Sequence, residues 1–528
     1  MTSHRKIDGP DRENRLDHMA QGVLGQPLDR LEGPLKVTGR ATYAAEARPA
    51  GVLHGVLVQA AIPKGKVLEV GDAPGAVAVI ADPRFLHFAA QGMDRKAPRS
   101  GPDEVEYMGQ AVALVVAETL EAAHSAALNL AMLYAPEKAA FDPEAVAPEF
   151  PEKKQSTSGD LDAAMAGATF SVDEVWRTPS MAAAAMEPHA AIAEWQDGTV
   201  TIRDSMQMLS SNRTQMADAL GIGEEKVRLL APYVGGGFGS KLGINAEAVA
   251  AAVAARDLGR PVSVTMTRPQ VFDLAHRRSE TRQRILLACD ARGLLTGIGH
   301  EVLVSNLPDT AFSEPVTQAT PFTYAAENRR IAHAVARVHR SSAGSVRAPG
   351  EAVGVTAFEC AMDELAERAG IDPVEFRLRN IPDVEPVSGR PYSSNMLAEA
   401  LRVGASRFGW SDRRAPGARQ DGEWLIGMGM AAAVRVNMLI ESRARVTLEP
   451  SGTALVETDM TDIGTGTYTI LGQLAAEMLG LPRDQVRVAL GDTNFPPASG
   501  SGGSFGAASS GTSVYLACED IRDRKSTR

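Results

Sequence analysis

Cysteine is scarce in this sequence. The only three, Cys289, Cys360 and Cys518, are far apart and form no C-x-x-C pair in the 528 residues. This spacing argues against a disulfide framework, a zinc site and an iron–sulfur cluster within the chain. If the protein carries out redox chemistry, its electrons must leave to a partner.

An excess of basic charge and long hydrophobic runs are also lacking. The formal net charge is −11, and no basic run stands out, which disfavours nucleic acid as a partner. The most apolar long stretch, residues 111–135, is interrupted by charged and polar residues, so it predicts a strand and an amphipathic helix rather than a membrane span. Residues 1–21 are polar without an apolar core; we predict a disordered tail there and no signal peptide.

Length and pattern predict several domains. A chain of 528 residues with 44% hydrophobic and 23% charged residues is typical of a soluble multidomain protein. Residues 22–148 predict a compact α/β domain, residues 149–162 an exposed linker, and residues 163–415 and 416–528 two further units. Within the first domain we predict strands at 55–60, 76–81 and 111–116 and a helix at 119–134.

A glycine-rich loop, Gly235-Gly236-Gly237-Phe238-Gly239-Ser240-Lys241, lies between a predicted strand at 227–234 and a predicted helix at 244–258. Strand, glycine loop and helix N-terminus together favour an anion-binding site. The loop does not fit a phosphate-binding P-loop, because Ser240 precedes the lysine and Leu242 follows it. It lacks the third glycine of a dinucleotide fingerprint, so that interpretation is a weaker alternative. Taken alone, the loop fits a purely structural turn equally well.

An internal repeat connects the two larger units. Residues 219–229 are matched by residues 478–488, and each copy follows a predicted helix and precedes a strand. Each strand then leads to glycines, at 235–239 and at 500–503. We therefore predict two related lobes, each with one glycine-rich loop. The two loops either face one extended anionic ligand or are repeated for structural reasons alone.

Two polar residues outside the loop are candidate functional residues. Gln207 follows an alternating strand, and a lone glutamine at such a position is most often a helix-entry residue. Arg347 lies in the turn Ser345-Val346-Arg347-Ala348-Pro349-Gly350-Glu351, which suits a guanidinium that orients a carbonyl substrate. The alternative for Arg347 is a surface ion pair with Glu351.

The second lobe is rich in small and hydroxyl residues. Its backbone amides and hydroxyls suit a pterin and a pyrophosphate without Lys or Arg, although a flexible Ser/Gly loop has the same composition. These segments are Asp462-Ile463-Gly464-Thr465-Gly466-Thr467, Gly491-Asp492-Thr493-Asn494, Gly500-Ser501-Gly502-Gly503 and Ser509-Ser510-Gly511-Thr512-Ser513.

Taken in order, these motifs resemble the molybdenum-binding subunits of the xanthine dehydrogenase and aldehyde oxidoreductase family. The resemblance covers about residues 22–520 and includes G-G-G-F-G-x-K at 235–241, R-A-P-G-E at 347–351, and K-V-T-G-x-A-x-Y at 36–43. It implies an α+β fold, in which a small N-terminal α/β hammerhead-like domain precedes a two-lobed molybdopterin-binding domain whose second lobe is incomplete.

The resemblance also implies a cofactor and its contacts. The cofactor is molybdenum–molybdopterin, in its cytosine dinucleotide form, with the metal held through the pterin and not by a protein ligand. Gln207 is expected beside the metal's oxygen ligands, Phe238 and Gly239 at the metal end, and Arg347 at the substrate's carbonyl oxygen. The full set of expected cofactor contacts is Gln207, Gly236, Gly237, Phe238, Gly239, Arg347, Gly464, Thr465, Gly466, Thr467, Gly500, Ser501, Gly502, Gly503, Ser509 and Ser510.

The implied reaction is oxidation of aldehydes to carboxylic acids with water as the oxygen source, and the electrons pass to [2Fe-2S] and FAD centres on partner subunits. Leu242 stands where xanthine-oxidising members have Glu, which favours aldehydes, and G-T-G-T at 464–467 is similar to a narrower bacterial branch. In the matching segment Met186-Glu187-Pro188-His189, the histidine usual three residues before the methionine is replaced by Ala183. The expected location is cytoplasmic, or periplasmic by export with a partner subunit.

One departure concerns the catalytic base. Family members continue beyond this point and carry near their C-terminus a G-x-G-E glutamate that acts as general base. The letters recur only at Gly221-Ile222-Gly223-Glu224, within the repeated turn, and we do not assign Glu224 as the base. We therefore expect a C-terminally truncated chain. An inactive family member and, less favoured, a dinucleotide-binding or scaffold protein remain alternatives.

Overall fold

The computed structural model describes residues 15–19, 21–99, 103–392, 395–435 and 438–526. Short 3-10 helices occur at Arg15–His18, Ala44–Glu46, Glu152–Lys154, Glu224–Lys226, Trp410–Asp412 and Arg483–Gln485. The α-helices are α1 (Gly33–Val37), α2 (Leu120–Leu128), α3 (Leu161–Ala166), α4 (Leu209–Leu220), α5 (Ala246–Leu258), α6 (Arg268–Leu274), α7 (Thr320–Thr323), α8 (Glu351–Ala369), α9 (Pro373–Asn380), α10 (Leu397–Phe408), α11 (Thr467–Leu479) and α12 (Gly506–Ser526). The strands are β1 (Leu53–Gln59), β2 (Gly65–Val70), β3 (Ala78–Ile80), β4 (Glu104–Val105), β5 (Ala111–Ala117), β6 (Met132–Pro136), β7 (Ser156–Ser158), β8 (Phe170–Thr178), β9 (Met181–Ala182), β10 (Ala190–Gln196), β11 (Thr199–Asp204), β12 (Val227–Leu230), β13 (Val262–Thr265), β14 (Arg277–Arg278), β15 (Thr281–Cys289), β16 (Leu295–Asn306), β17 (Asn328–Arg337), β18 (Gln420–Asp421), β19 (Trp424–Leu425), β20 (Arg445–Leu448), β21 (Ala454–Thr458) and β22 (Val486–Leu490).

The largest sheet has seven strands in the order β12-β11-β10-β13-β1-β5-β3. It combines strands of the predicted first domain with strands of the predicted first lobe, since β1 pairs in parallel with β13. Helix α5 packs on this sheet, and its residues 247–255 are all buried. The region at 22–148 is therefore hydrogen-bonded into the first lobe.

A second N-terminal sheet, β4-β2-β6, corrects one predicted helix. The helix predicted at 119–134 ends at Leu128, with Asn129 as its C-cap. Residues 132–136 instead form β6, which pairs antiparallel with β2. Pairing with a distant strand outweighs the local helical pattern there.

A five-stranded sheet, β7-β17-β16-β15-β8, forms the other large part of the first lobe. Its edge strand β7 pairs with β17, so part of the predicted linker at 149–162 belongs to this sheet. Helix α8 contacts β8 and β15. The sheet also carries solvent-exposed ion pairs. In one of them, Nη2 of Arg284 lies 2.8 Å from Oδ2 of Asp173.

The predicted internal repeat is present as a repeated unit of strand, helix, turn and strand. Helices α4 and α11 both end at a left-handed glycine, Gly221 with φ 67° and Gly480 with φ 68°. A 3-10 turn follows in each copy, and the next strand pairs in parallel with the strand before the helix, β12 with β11 and β22 with β21. Two related lobes are therefore observed.

The two lobes meet along the outer edge of β12. The Thr493 amide donates to the Leu229 carbonyl at 3.1 Å, and the Ala231 amide donates to the Gly491 carbonyl at 2.8 Å. The side chains of Arg228 and Asp492 add an ion pair at 2.6 Å. An otherwise unpaired strand edge is thus covered by the second lobe.

An N-terminal strap, residues 21–31, runs along helix α11. Its contacts come from three side chains spaced four residues apart on one face of the helix. Thr469 accepts from the Leu31 amide at 3.1 Å, and Gln473 donates to the Val23 carbonyl at 3.0 Å. Glu477 accepts from the amides of Gln21, Val23 and Leu24 at 2.8, 2.8 and 3.1 Å.

The chain segment before the strap also contacts the second lobe. Arg15 donates from Nε to Glu519 on α12 at 3.0 Å, and its backbone amide donates to the Tyr515 hydroxyl at 3.1 Å. Residues 15–19 therefore differ from the disordered tail predicted at 1–21, because their ion pairs and apolar contacts are with helices distant in sequence. Gln21, also part of the predicted tail, donates to Glu477, and the rest of that prediction, at residues 1–14 and 20, lies outside the described residues. No helix in the described ranges is long and apolar enough to cross a membrane.

Candidate functional site

Gln207 lies where loops from both lobes meet. It follows β11 and precedes α4, and its side chain is only 3% exposed. Its side-chain oxygen accepts from the amides of Gly239 at 3.0 Å and Lys241 at 3.3 Å. Its side-chain nitrogen donates to the Ser501 carbonyl at 2.6 Å. One amide side chain thereby connects the glycine-rich loops of the two lobes.

The glycines of the first loop are required by close contacts. A Cβ on Gly237 would lie 2.3 Å from the side-chain oxygen of Gln207. Gly239 has φ +105°, and a Cβ there would lie 1.9 Å from the Ser345 carbonyl oxygen. Phe238 between them also has a positive φ of 54°. Only glycine fits the approaches at 237 and 239, so this part of the loop lies tightly between Gln207 and residues 345–347, and Gly236 beside it has φ +91°.

Arg347 lies beside Phe238, as the motif predicted. Its amide donates to the Phe238 carbonyl at 2.8 Å, and its guanidinium carbon is 5.9 Å from the centre of the Phe238 ring. The alternative of an ion pair with Glu351 is wrong, because Glu351 pairs with Arg435 at 2.9 Å. Within the described ranges no carboxylate pairs with Arg347, so its exposed guanidinium is free to bind a ligand.

Glu187 holds both ends of the first loop, a contact that sequence reasoning missed. Its Oε2 accepts from the Gly235 amide at 2.7 Å and from the Lys241 ammonium at 2.9 Å. Lys241 also donates to the Glu187 carbonyl at 3.0 Å. Burial lowers the pKa of Lys241, and the Glu187 carboxylate opposes that shift. The only signal in the sequence was that both residues belong to recognisable motifs.

Three further titratable groups are buried behind the loop. Burial raises the pKa of Glu247 to about 7. Burial and the neighbouring Glu247 carboxyl raise the pKa of Asp204 well above its usual range. Burial lowers the pKa of His189 to about 3, so the ring is neutral at pH 7 and lies 3.0 Å from the Ser240 carbonyl. The loop therefore lies on a buried polar layer rather than on solvent.

The second lobe contributes the turn at 464–467. Oδ1 of Asp462 accepts from the amides of Gly464 at 2.7 Å and Gly466 at 3.4 Å, which shapes the turn into helix α11. The Val234 amide donates to the Asp462 carbonyl at 3.3 Å, so this turn adjoins the first loop. Thr465 is exposed, Thr467 begins the helix, and Arg30 of the strap donates to the Gly464 carbonyl.

Residues 500–504 form the second glycine-rich loop. Gly500, Gly503 and Ser504 have positive φ angles of 75°, 51° and 57°. Among the described residues, the amides at 502–504 and at 506–508, the first turn of α12, have no hydrogen-bond acceptor. Free amides at the start of a 21-residue helix are suited to binding an anion.

Ser509 and Ser510 differ from the other predicted contacts. They lie within α12, where Ser509 Oγ accepts from the Ile440 amide at 3.1 Å and Ser510 Oγ lies 3.2 Å from Ser442 Oγ. The alternative of a flexible Ser/Gly loop at 509–513 is wrong, because Val514 and Cys518 bury one face of this helix. The two serine side chains hold residues 440–442, and both serines are buried.

Similarity to solved structures shows which fold the chain has. Quinoline 2-oxidoreductase from Pseudomonas putida 86 superposes with a TM-score of 0.81, at 21% identity over 96% of this chain and 71% of that chain. Aldehyde oxidoreductase from Desulfovibrio gigas superposes with a TM-score of 0.80, at 23% identity over 94% and 60%. The chain therefore shares the fold of these two oxidoreductases.

Sequence comparison places the chain more narrowly. Molybdopterin cofactor-binding domain models match residues 144–381 and 404–527. The aldehyde oxidoreductase molybdenum-binding subunit PaoC of Escherichia coli (strain K12) is 43% identical over 98% of this chain and 72% of its own length. The putative xanthine dehydrogenase molybdenum-binding subunit XdhA of the same strain is 29% identical over 89% and 68%. The chain belongs to the xanthine dehydrogenase and aldehyde oxidoreductase family of molybdopterin cofactor-binding subunits.

Proposed function

We propose that the chain is the molybdenum-binding subunit of an enzyme that oxidises aldehydes to carboxylic acids, with water as the oxygen source. The observation that carries the proposal is the junction at Gln207, where glycine-rich loops from both lobes meet beside Arg347 and Phe238. The identity of 43% to a subunit named for aldehyde oxidation supports the substrate class.

The residues present fit a molybdopterin cofactor. Glycines at 237 and 239 let the first loop lie close against Gln207 and Ser345, and the free amides at 502–504 and 506–508 suit a pyrophosphate. We propose that the dinucleotide form is the cytosine one and that the predicted contacts at 207, 236–239, 464–467 and 500–503 hold it. The bound cofactor supplies hydroxylation and two-electron redox chemistry.

Electron transfer requires partners in this proposal. Cys289 and Cys518 are buried and Cys360 is exposed, and all three are free. We propose that a [2Fe-2S] subunit and an FAD subunit receive the electrons, so that the chain works within a complex of several subunits.

Individual side chains have separate roles in the proposed reaction. The exposed guanidinium of Arg347 orients the carbonyl oxygen of the aldehyde, because a planar cation with several donors fixes an oxygen in one direction. Gln207 uses one amide hydrogen on Ser501, which leaves the other for an oxygen of the cofactor. Leu242 removes the acidic group that would recognise a purine, so aldehydes are the preferred substrates.

The test is the molybdenum and nucleotide content of the complex purified with its partner subunits. We expect stoichiometric molybdenum with a cytosine nucleotide, and its loss in Gly237→Ala, whose new methyl would lie 2.3 Å from the Gln207 oxygen. Gly404→Ala is the control, since no atom lies within 4 Å of its Cβ position. Retention of NAD by the complex, or of FAD by this chain after its separation from the FAD subunit, without molybdenum would favour the dinucleotide-binding alternative. Turnover of xanthine without any aldehyde would contradict the substrate class.

A further inference from the structure

The turn that carries Arg347 has an unusual backbone. Ala348 has a positive φ of 52° although it is not glycine. Gly350 has φ +81°, and a Cβ there would lie 2.1 Å from the Pro315 carbonyl oxygen. A non-glycine residue in the left-handed region persists only when its surroundings hold it there. The contacts that hold this turn therefore determine where Arg347 lies.

Arg278 holds the turn from inside the protein. It lies in β14 and is 3% exposed. Its guanidinium donates to the carbonyls of Val346 at 2.9 Å and Ala348 at 3.2 Å, and also to the carbonyl of Arg347 itself. Three consecutive carbonyls are thus directed inward by one planar donor group, which Lys cannot reproduce.

Glu314 completes the arrangement. It is 0% exposed, and its Oε1 accepts from the Gly350 amide at 2.6 Å and from Arg278 at 3.1 Å. The ion pair therefore holds the turn on both sides of Pro349. Gln318 adds a hydrogen bond to the Pro349 carbonyl at 2.6 Å. Buried charges need such partners, and here the partners are the backbone of the turn.

The outward side of the turn meets the glycine-rich loop. The Arg347 amide donates to the Phe238 carbonyl at 2.8 Å, while the Arg347 carbonyl faces Arg278. The peptide groups on either side of Arg347 are fixed in this way, and its side chain extends past the Phe238 ring. No hydrogen bond joins Arg278 or Glu314 to residues 235–241 or 500–504 in the described part of the chain.

We propose that Arg278 and Glu314 are positioning residues for Arg347, and that this buried ion pair sets the direction of the guanidinium that orients the substrate. Its effect on turnover rests on the proposed function. Its effect on the turn does not, because the hydrogen bonds exist in the chain alone. The pair acts through the backbone at 346–350 and touches neither substrate nor cofactor.

The first experiment measures hydrogen–deuterium exchange in the chain without cofactor. Arg278→Lys and Glu314→Gln are expected to speed exchange of the amides at 346–348 and 350 by about tenfold or more, while peptides from α8 at 359–369 keep their rates. Arg284→Lys is the matched control, because the hydrogen bonds of this exposed arginine go to Asp173 and Glu301 and not to the turn. Unchanged exchange at 346–350 in both variants overturns the proposal, and Glu314→Gln gives the answer if Arg278→Lys does not fold.

The second experiment is a double-mutant cycle in the complete complex with an aldehyde substrate. We expect Arg278→Lys and Arg347→Ala each to lower kcat/KM by about 10-fold to 100-fold at unchanged molybdenum content, and the double variant to lose little more. Additive losses would mean that Arg278 acts independently of Arg347. If the wild-type complex holds no molybdenum or turns over no aldehyde, the proposed function fails, while the exchange experiment still decides the role of the ion pair.

Discussion

Glu187 is the residue whose single carboxylate oxygen joins the two ends of the first glycine-rich loop. Its partner Lys241 is buried, and Asp204 and Glu247 lie close enough to raise the pKa of Lys241 by their charge while burial lowers it. More carboxyl groups than ammonium groups are therefore buried behind the loop. Since an unpaired buried charge is costly, protonation of a carboxyl is the expected response.

We predict that Glu247→Gln stabilises the protein at alkaline pH. Burial raises the pKa of Glu247 from 4.5 to about 7. The folded state therefore binds more protons than the unfolded state in that window, and the contribution of Glu247 to the free energy of unfolding falls as pH rises through it. Glutamine does not ionise, so the variant is expected to gain about 2 to 3 kcal/mol relative to the wild type by pH 8.

The measurement is chemical or thermal unfolding of both proteins between pH 5 and pH 8, with the difference between the two curves as the readout. Glu314 and Asp459, whose pKa values burial also raises to about 7, contribute equally to both proteins. Glu194→Gln, at an exposed position in β10, serves as the control. Parallel stability curves for wild type and Glu247→Gln would contradict the prediction.

Residues with a local motif were predictable, whereas residues that act through the fold were not. The motifs correctly brought Gln207, Phe238, Gly239 and Arg347 together. The sequence did not show that Ser509 and Ser510 lie within a helix, because composition does not distinguish a serine-rich loop from a serine-rich helix. Glu187, Arg278 and Glu314 were missed as contacts, since an isolated charged residue shows no pattern that names its distant partner. The roles of all these residues in binding remain predictions.

At the scale of elements, helix α11 links the strap to the candidate site. The strap binds the helix through Thr469, Gln473 and Glu477, and the same helix begins at the turn 464–467. Arg30 in the strap reaches that turn directly. The strap therefore contacts helix α11 at both ends and contacts the turn at 464–467 directly through Arg30.

We predict that Glu477→Ala releases the strap. The carboxylate accepts three backbone amides, and hydrogen bonds to a charged group contribute about 1.5 to 3 kcal/mol each. Amides at 21–31 are expected to exchange at least about tenfold faster, while β5 stays protected. Glu364→Ala, which alters only an exposed pair with Arg368 on α8, is the control. Equal protection of 21–31 in both variants would show that Glu477 does not hold the strap.

Elements with strong internal evidence were predicted well. The repeat at 219–229 and 478–488 gave the helix, the glycine turn and the strand in both lobes, because each copy carries its own stop signals. The helix predicted at 119–134 was too long, since its last three residues, 132–134, pair with β2 more than sixty positions earlier. The local sequence does not indicate which distant strand will pair with these residues.

At the scale of the whole molecule, the junction between the lobes depends on close backbone approach. Gly491 has φ +75°, and a Cβ there would lie 2.3 Å from the Ala231 carbonyl oxygen. The hydrogen bonds of residues 491 and 493 to the edge of β12 need this approach. The same edge leads into the loop that contacts Gln207.

We predict that Gly491→Ala loosens the second lobe. Gly452→Ala is a matched control, because φ is +86° there and no atom lies within 4 Å of its Cβ position. Both variants incur the left-handed strain of about 1 kcal/mol, and Gly491→Ala loses about 1 to 3 kcal/mol more through the steric conflict. The measurements are the midpoint of thermal unfolding and the rate of limited proteolysis after residue 400. Equal unfolding midpoints and equal proteolysis rates in the two variants would show that the junction accommodates the new methyl group without loss of stability.

The strap also has a consequence for the timing of biosynthesis. Gln21 binds Glu477, and 456 positions separate the two residues. At about 5 to 20 residues per second, a ribosome needs on the order of 20 to 90 s to make the helix after it has made the strap. During that interval the strap has no docking partner, and a protease or a chaperone can reach it. Completion of helix α11 is thus the event that closes this window on every newly made molecule.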